Sequence, residues 1–459
     1  MELSLFVKTA LKYVRGYRFP DRLRTMIDAI DNMLKTRLGD VIKTGIWRCD
    51  TTVKQLIGQI IEEFAIIKYD VEREGNVIKI QAAMLSGFMN NDENILQKVE
   101  TLKRIIYNRF WGNQNPSNCL NARKLVCNIN KACGFGCQIH HVTYCLLVAS
   151  ALNRILIVDD KEWSYSPGGW NTFFQPLTTT CLNYHTEQNM SPWDGTAVPR
   201  ALSVDINSFH EYPFVWWLGR LISFVMRPSD RLKVMLDEHV KRLTSDGRHV
   251  VGVHIRRKDK LISEGSYYPV KSYFDYVEEY FRTLQVIGIE AQPKVYLATD
   301  DEEVLIEAKQ SYPDVNIVCA VEHATLAAGD DKYSEQSLVG LLVDIYLLAH
   351  TDLIVCTLSS QLCRVAYELM QSYHTDASDK LISLDHPYYF GGQNFGAFRA
   401  VVDHHPLYLD GLAFKSNDSI YLLDIRRSSF YGINIRTKKN GTFPGYKVKE
   451  VIKTSDFFL

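Results

Sequence analysis

The sequence has almost no net charge, no long uninterrupted apolar run, and no internal repeat or low-complexity tract. Its 459 residues contain 52 Lys and Arg against 53 Asp and Glu, a formal charge of −1. Charge therefore gives no reason to expect binding to nucleic acid or to an anionic membrane surface. No stretch approaches the roughly 18 to 20 apolar residues that a membrane helix needs, and Met1–Lys8 is too short and too interrupted for a signal peptide. We expect a cytosolic protein, or one whose targeting segment is missing from this chain.

The cysteines favour a different compartment. The chain has ten, and five of them fall within one short window: Cys119, Cys127, Cys133, Cys137 and Cys145. Cysteines this dense are unusual in a cytosolic enzyme and favour disulfides, hence oxidising surroundings. Zinc ligation is an alternative, although the spacings lack the paired two-residue gaps typical of zinc sites. Reduced, buried thiols are a third.

The apolar patterning divides the chain into four segments, within a composition of 46% hydrophobic and 23% charged residues that is typical of globular proteins. Residues 1–110 carry helical stripes, which predict either a coiled-coil-like stem that dimerises or helices packed within one chain. We predict that residues 111–249 form a cysteine-rich open α/β domain, residues 250–392 a Rossmann-type domain, and residues 393–459 a small β-barrel. The three stripes are Leu23, Met26, Ile27, Ile30, Met33, Leu34 and Leu38; Val53, Leu56, Ile57, Ile60, Phe64 and Ile67; and Leu96, Val99, Leu102, Ile105 and Ile106.

The third segment alternates between short apolar strands and helices. This β-α-β series predicts an α/β fold with a doubly wound parallel sheet and a nucleotide-sized ligand at its carboxyl edge. The predicted strands are Val250–Ile255, Lys294–Leu297, Val315–Val318 and Leu353–Cys356, and the predicted helices are Ser272–Gln285, Glu302–Ser311, Ser337–Leu348 and Gln361–Ser372. In the second segment we predict a strand at Arg154–Asp160 and helices at His141–Leu152 and Phe214–Met226.

The barrel segment contains three short predicted strands and a turn. The strands are Ser419–Leu423, Gly432–Arg436 and Gly445–Val448, and the dipeptide Asn440-Gly441 predicts a hairpin turn.

The strand Val251–Ile255 ends abruptly in charge. Arg256 emerges at its end, where a guanidinium can contact phosphate oxygens in bidentate fashion. A structural ion pair with Asp259 is the alternative. His254 lies on the same face of the strand as Arg256. It can contact a ligand there or be a core histidine. Lys260 and Glu264 then offer an ammonium and a carboxylate able to take a proton from a sugar hydroxyl, or merely a solvated pair.

Three other groups carry two interpretations each. Asp300 and Asp301 can bind a divalent metal or cap the next helix, and capping is favoured because no third ligand is evident. Ser360-Gln361 can cradle a phosphate or simply begin a helix. Asp344 lies on an otherwise apolar helix and needs a partner, for which the adjacent donors of a guanine edge are suitable.

Together these segments closely resemble the core α-1,6-fucosyltransferases of N-glycan processing (glycosyltransferase family 23), from about Cys119 to Glu450. The matching segments are Leu125–Lys131, Cys133–Gln138, Gly168–Trp170, His254–Arg257, Tyr296–Asp301, Cys363–Glu368 and Tyr389–Asn394.

The resemblance implies an inverting transfer of fucose from GDP-fucose to O6 of the innermost N-acetylglucosamine of an N-glycoprotein, without a metal or other cofactor. It also implies a GT-B-like fold, an N-terminal helical stem through which a homodimer forms, a C-terminal SH3-like barrel, no nucleic-acid partner, and a Golgi lumenal type II membrane protein, although no membrane anchor is visible in this chain.

The resemblance assigns roles residue by residue. Arg256, Glu264 and Lys260 would be catalytic. His254 and Asp344 would hold the guanine, and Arg256, Ser360 and Gln361 the diphosphate. The other donor-site residues would be Lys131, Gly134, Phe135, Tyr165, Arg257, Asp259, Tyr273, Asp300 and Asp301, and the acceptor-site residues Lys260, Glu264, Asp385, His386 and Tyr389. The disulfides would be Cys119–Cys181, Cys127–Cys145, Cys133–Cys137 and Cys356–Cys363, leaving Cys49 and Cys319 free.

Some positions depart from the family pattern. Lys258 replaces a threonine, Phe135 a tyrosine, and His386 the second of two acids, while residues 424–431 lack a histidine and a tryptophan. Since these differences concern mainly the acceptor side, a fucosyltransferase with another acceptor, or a non-catalytic glycan-binding or scaffold homologue, is the alternative prediction.

Overall fold

The computed structural model describes residues 93–181, 197–210, 212–258, 267–286, 288–320, 333–385, 388–390, 397–406, 410–426, 429–451 and 453–456. The chain divides into two compact units, Met1–Met89 and Asn90–Leu459. Every described residue belongs to the second unit. The first two predicted helical stripes lie outside the described residues.

Most helices lie close to the positions that apolar periodicity predicts, but the helix from Phe135 begins six residues before its predicted start at His141, and the helices Arg200–Asn207 and Asp230–Thr244 were not predicted. They are α1 Glu93–Gln114, α2 Phe135–Ala151, α3 Arg200–Asn207, α4 Pro213–Val225, α5 Asp230–Thr244, α6 Val270–Val286, α7 Glu302–Ser311, α8 Glu335–Ala349 and α9 Gln361–Met370.

The strands are short, and the four predicted in the Rossmann-type segment match the structure to within two residues at either end. They are β1 Lys124–Asn128, β2 Ile155–Asp159, β3 Ala197–Pro199, β4 Val251–Ile255, β5 Lys294–Thr299, β6 Asn316–Val318, β7 Leu353–Cys356, β8 Leu381–Ser383, β9 Ala397–Ala400, β10 Ser419–Arg426, β11 Ser429–Asn434, β12 Asn440–Pro444, β13 Val448–Glu450 and β14 Lys453–Ser455.

The central sheet has five parallel strands in the order β6-β5-β4-β7-β8. Its three inner strands are buried along their whole length, as expected for a parallel sheet covered by helices on both faces. The predicted α/β class with a parallel sheet is confirmed. Sequence patterning missed β8, which has three residues.

The main core lies between this sheet and the helices packed against it. Trp216 and Trp217 of α4 are completely buried there. The apolar face of α1 joins the same core, where the Phe110 ring lies 5.6 Å from that of Trp217 and 5.4 Å from that of Phe224. Of the third predicted stripe, Val99, Leu102 and Ile106 are buried within the chain. Of the two alternatives predicted for these stripes, α1 therefore shows helix packing within one chain.

The last segment is a five-stranded antiparallel sheet in the order β12-β11-β10-β9-β13. Two local predictions are wrong. Gly445–Lys447 forms a 3-10 turn rather than a strand. Asn440-Gly441 begins β12 rather than forming a turn, because Gly441 lies so close to a neighbouring segment that a Cβ atom would lie 2.6 Å from the carbonyl oxygen of Asp410.

The chain end returns to the main body. Strand β14 pairs in parallel with β3, so that Thr454 lies opposite Val198. Arg200, which follows β3, also pairs with Asp456 at 2.8 Å.

The structure joins eight cysteines in four disulfides: Cys119–Cys181, Cys127–Cys145, Cys133–Cys137 and Cys356–Cys363. These are the pairs that the resemblance implies. Cys319 is free, and Cys49 lies outside the described residues. A trio of ligand types, Cys127, His141 and Cys145, is clustered closely enough to suggest zinc, but its two sulfur atoms are bonded to each other. Among the described residues, none of the helices has the length and hydropathy needed to cross a membrane.

Candidate active site

The order of the central sheet reverses between β4 and β7. From β4 the chain proceeds outward through β5 to β6, and it then returns to the other side of β4 to form β7 and β8. Ligands of open α/β sheets bind outside the carboxyl ends of the strands at such a reversal. Arg256 follows β4 and residues 357–360 follow β7, so both predicted phosphate-binding segments end at this switch point.

An acid at the end of β5 holds the two arginines after β4. Asp300 is buried, and its Oδ1 accepts a hydrogen bond of 2.9 Å from the backbone N–H of Arg257. Its Oδ2 lies 3.6 Å from Nε of Arg256, whose side chain is 20% exposed. The Arg257 side chain turns away toward α7, 3.5 Å from Glu307. Arg256 is therefore anchored at one end and still open to solvent at the switch point.

The neighbouring acid has a local role. Asp301 is the N-cap of α7, and its side chain accepts a hydrogen bond from the backbone N–H of Glu303. This is the capping arrangement that sequence reasoning favoured over a metal site.

Asp344 of α8 faces β5. Its Oδ1 accepts a 2.6 Å hydrogen bond from the hydroxyl of Tyr296. Burial raises the pKa of the Asp344 carboxyl from 3.8 to about 7, against the opposing effect of this hydrogen bond. Tyr296 is paired in register with Gly252, and Ala298 with His254, so His254 points to the same face of the sheet as Asp344. The two predicted guanine-binding residues thus share one face.

Two helices begin beside the switch point. Gly136 in the first turn of α2 is so close to Gln361, the first residue of α9, that a Cβ atom would lie 3.0 Å from the Gln361 carbonyl carbon. Ser360 is the N-cap of α9 and makes no side-chain hydrogen bond to that helix. Helix N-termini present free N–H groups and favour anions, so this junction suits a diphosphate.

The disulfide Cys356–Cys363 ties the end of β7 to the first turn of α9. The loop between them is further held by Asp385, which accepts hydrogen bonds from the backbone N–H groups of Leu358 and Ser359 at 2.7 and 3.1 Å. Asp385 therefore fastens the loop after β7, a role that its predicted place on the acceptor side did not include.

Aromatic residues line the α2 side of this region. The hydroxyl of Tyr165 accepts a 3.0 Å hydrogen bond from the backbone N–H of Phe135. Burial raises the pKa of Tyr165 to about 12, while that hydrogen bond and the charge of Arg256 act in the opposite direction. The Phe135 ring is in the core, 6.3 Å from Phe174 and stacked on it. The ring of Phe135 thus packs in the core, while its backbone N–H lies at the α2 N-terminus, where the predicted donor site is.

The remaining predicted residues are spread more widely. Tyr273 is buried and hydrogen-bonded to Thr357, and its pKa is raised chiefly by burial. Lys131 is exposed on the loop before Gly134, the N-cap of α2. Tyr389 lies under the guanidinium of Arg364, 4.0 Å from its ring centroid. Asp259, Lys260, Glu264 and His386 lie outside the described residues.

Sequence reasoning missed a buried series of hydrogen bonds that links α2 to α9. His140 approaches Gln361 through Nδ1, at 3.1 Å, and Glu368 through Nε2, at 2.9 Å. The only signal was a histidine and a glutamate on otherwise apolar helix faces, 228 positions apart in the sequence. No local pattern connects residues so distant.

Comparisons with known proteins identify the family. A family model described as the alpha-(1,6)-fucosyltransferase N- and catalytic domains matches residues 21–196 and 188–389. An alpha-(1,6)-fucosyltransferase of Drosophila melanogaster is 34% identical over 459 residues, covering 95% of this chain and 73% of the relative. An alpha-(1,6)-fucosyltransferase of Caenorhabditis elegans is 32% identical over 395 residues, covering 80% of this chain and 71% of the relative.

A solved structure shows weaker similarity. The crystal structure of NodZ alpha-1,6-fucosyltransferase soaked with GDP-fucose is 18% identical and covers 54% of this chain and 93% of its own, with a TM-score of 0.36. That value is too low to establish a shared fold. The family model and the two animal relatives are sufficient by themselves: the chain belongs to the alpha-(1,6)-fucosyltransferase family and is a glycosyltransferase.

Proposed function

We propose that this protein transfers fucose from GDP-fucose to O6 of the innermost N-acetylglucosamine of N-glycans, with inversion at the anomeric carbon and without a metal. The observation that carries the proposal is the position of Arg256 at the switch point, where Asp300 anchors it beside the α9 N-terminus. A fixed positive charge next to free helix N–H groups suits the leaving diphosphate of a sugar nucleotide.

The donor binds along the carboxyl edge of the central sheet. Arg256, Ser360 and Gln361 hold the diphosphate, because a guanidinium and the first N–H groups of a helix are both anion donors. His254 and Asp344 hold the guanine, whose adjacent donor nitrogens match the two oxygens of a carboxylate. The placement of His254 and Asp344 on one face of the sheet supports this assignment.

The reaction is a single displacement. The O6 hydroxyl attacks the anomeric carbon of fucose in line, and Glu264 takes its proton while Lys260 keeps that carboxylate ionised. The bond between the anomeric carbon and the β-phosphate oxygen breaks, and its electron pair leaves with GDP. Arg256 neutralises the charge that develops on the phosphate, and the transition state is stabilised more than the ground state.

The wider organisation follows from the family. We propose a GT-B-like catalytic region with an SH3-like barrel at 393–459, a coiled-coil stem at 1–110 that forms a homodimer, and residence in the Golgi lumen. Four disulfides support oxidising surroundings.

A second acceptor is favoured by one observation. Oδ1 and Oδ2 of Asp385 both accept backbone hydrogen bonds from the loop after β7, so this carboxylate has less capacity for sugar hydroxyls than an acid facing the acceptor. With His386 beside it in the sequence, the acceptor side has fewer carboxylates than the family pattern. We therefore keep transfer of fucose to a different glycan as the alternative.

The test is incubation of the protein with GDP-fucose and a panel of N-glycans, followed by mass spectrometry. A mass gain of one fucose on the innermost N-acetylglucosamine is expected, and a gain only on another acceptor would establish the alternative. Arg256→Ala tests the donor site itself: turnover should fall by about 100-fold or more, in the range reported for loss of a transition-state charge donor. Unchanged turnover would exclude the proposed mechanism.

A further inference from the structure

A buried hydrogen-bonded chain joins the two helices that begin at the switch point. His140 of α2 is 3% exposed and Glu368 of α9 is 0% exposed. Nδ1 of His140 lies 3.1 Å from Oε1 of Gln361, and Nε2 lies 2.9 and 3.2 Å from the two carboxylate oxygens of Glu368. The hydroxyl of Tyr388 donates a further hydrogen bond to Glu368.

The atoms determine where one hydrogen must be. The amide oxygen of Gln361 can only accept, so Nδ1 of His140 carries the hydrogen that lies between them. The carboxylate of Glu368 also only accepts, so Nε2 donates to it, the ring carries a hydrogen on both nitrogens, and this second hydrogen bond holds the ring in its orientation. The amide oxygen of Gln361 is thereby occupied, and its NH2 group remains for a ligand at the α9 N-terminus.

We propose that His140, held by Glu368, is a positioning residue for the donor: it orients the amide of Gln361 so that the NH2 group faces the diphosphate. This role rests on the proposed function, in which Gln361 contacts the diphosphate. Without the hydrogen bond from His140, the amide can turn over and place its oxygen against the phosphate oxygens, which repel it.

A second buried histidine provides a matched control. His210 lies 2.8 Å from Oε1 of Gln371, and both residues are buried. Gln371 lies ten positions after Gln361, roughly 15 Å further along α9 at 1.5 Å per residue. Each pair joins a buried histidine to the amide oxygen of a glutamine, through Nδ1 in His140 and through Nε2 in His210, and of the two only the first is at the switch point.

The test measures GDP binding to the full chain by calorimetry. In His140→Gln the new amide lies where Nε2 was, so the contact with Glu368 is kept and the bond to Gln361 is lost. In His140→Asn the new amide lies where Nδ1 was, so the bond to Gln361 is kept. We expect GDP binding to weaken about tenfold in the first variant, the magnitude of one hydrogen bond to a charged ligand, and to change less than about threefold in the second.

A double-mutant cycle separates positioning from general stability. Gln361→Ala should itself weaken GDP binding, and His140→Gln should then add no further loss, because it acts only through that amide. In steady-state assays, KM for GDP-fucose should rise in His140→Gln while KM for the acceptor stays unchanged. The control is His210→Asn, because His210 bonds Gln371 through Nε2; it should lower thermal stability and leave GDP affinity unchanged.

Additive losses in the cycle, or equal losses in the two His140 variants, would overturn the positioning role. If His140→Gln does not fold, Glu368 decides the question. Glu368→Gln can accept from Tyr388 and donate to Nε2, so it leaves the hydrogen on Nδ1 and should keep GDP affinity, whereas Glu368→Leu should lose it. The reverse order refutes the proposal. A wild-type chain that binds no GDP would overturn the proposed function and this role together; normal GDP binding with an unaffected His140→Gln would overturn this role alone.

Discussion

The guanidinium of Arg256 lies 3.6 Å from the carboxylate of Asp300, across the ends of two neighbouring parallel strands. Asp300 is buried and simultaneously accepts the backbone N–H of Arg257. One acid therefore fixes both the main chain after β4 and the side chain that is proposed to face the diphosphate. The ion pair with Asp300 already restricts the side chain of Arg256. Less conformational entropy is therefore lost when Arg256 binds a ligand.

Replacement of Asp300 should reduce donor affinity. In Asp300→Asn the amide oxygen still accepts from Arg257, while the charge that anchors Arg256 is lost. We expect kcat/KM for GDP-fucose to fall by about 10- to 100-fold, corresponding to about 1.4 to 2.7 kcal/mol. The matched control is Asp301→Asn, since asparagine caps a helix as well as aspartate does. Equal effects of the two substitutions would contradict the assigned difference in roles.

The stability of the fold should depend on the protonation of Asp344. Its pKa is raised from 3.8 to about 7 by burial, so between these values the folded protein keeps a proton that the unfolded chain has released. The contribution of this group is fully present below pH 3.8 and is lost as the pH rises through about 7. Urea unfolding at pH 5 and pH 8 should show Asp344→Asn gaining stability relative to wild type at the higher pH. A difference that does not change with pH would contradict this linkage.

Guanosine binding should show the opposite pH dependence. The ionised carboxylate of Asp344 accepts hydrogen bonds from both guanine donors, whereas the protonated form accepts fewer. With a pKa of about 7, the ionised fraction at pH 6 is about one in eleven, so affinity should rise roughly eightfold to tenfold between pH 6 and pH 8. Guanosine is the preferred probe because it has no titrating phosphate. Asp344→Asn should bind weakly and without this pH dependence, and an unaltered profile would exclude Asp344 from the base site.

The contact between α2 and α9 should be intolerant of a single methyl group. A Cβ atom at Gly136 would lie 3.0 Å from the backbone of Gln361, whereas at Gly134 nothing lies within 4 Å. Gly136→Ala should therefore cost about 1 to 3 kcal/mol of unfolding free energy, as overpacking does, and should weaken GDP binding. Gly134→Ala should be within about 0.5 kcal/mol of wild type. Chemical denaturation of both variants checks the difference.

Much of the fold could be predicted from local patterns. The apolar runs of β4 and β7 and the helix Glu302–Ser311 appear in the sequence because side-chain periodicity is a local property. The charged end of β4 likewise predicted a site at the carboxyl edge. The wrong prediction at Asn440-Gly441 concerns a glycine that lies against a distant segment around Asp410, a contact that propensity does not record.

What the sequence by itself determined is the alternation of strands and helices, and with it a parallel sheet whose carboxyl edge carries Arg256. Only the tertiary structure decided which groups meet there. It pairs Arg256 with Asp300, 44 positions away. It also joins His140 to Glu368 across 228 positions. The physical reason is that backbone and burial preferences act within a few residues, whereas the partners of a buried charge are determined by how whole helices and strands pack against each other.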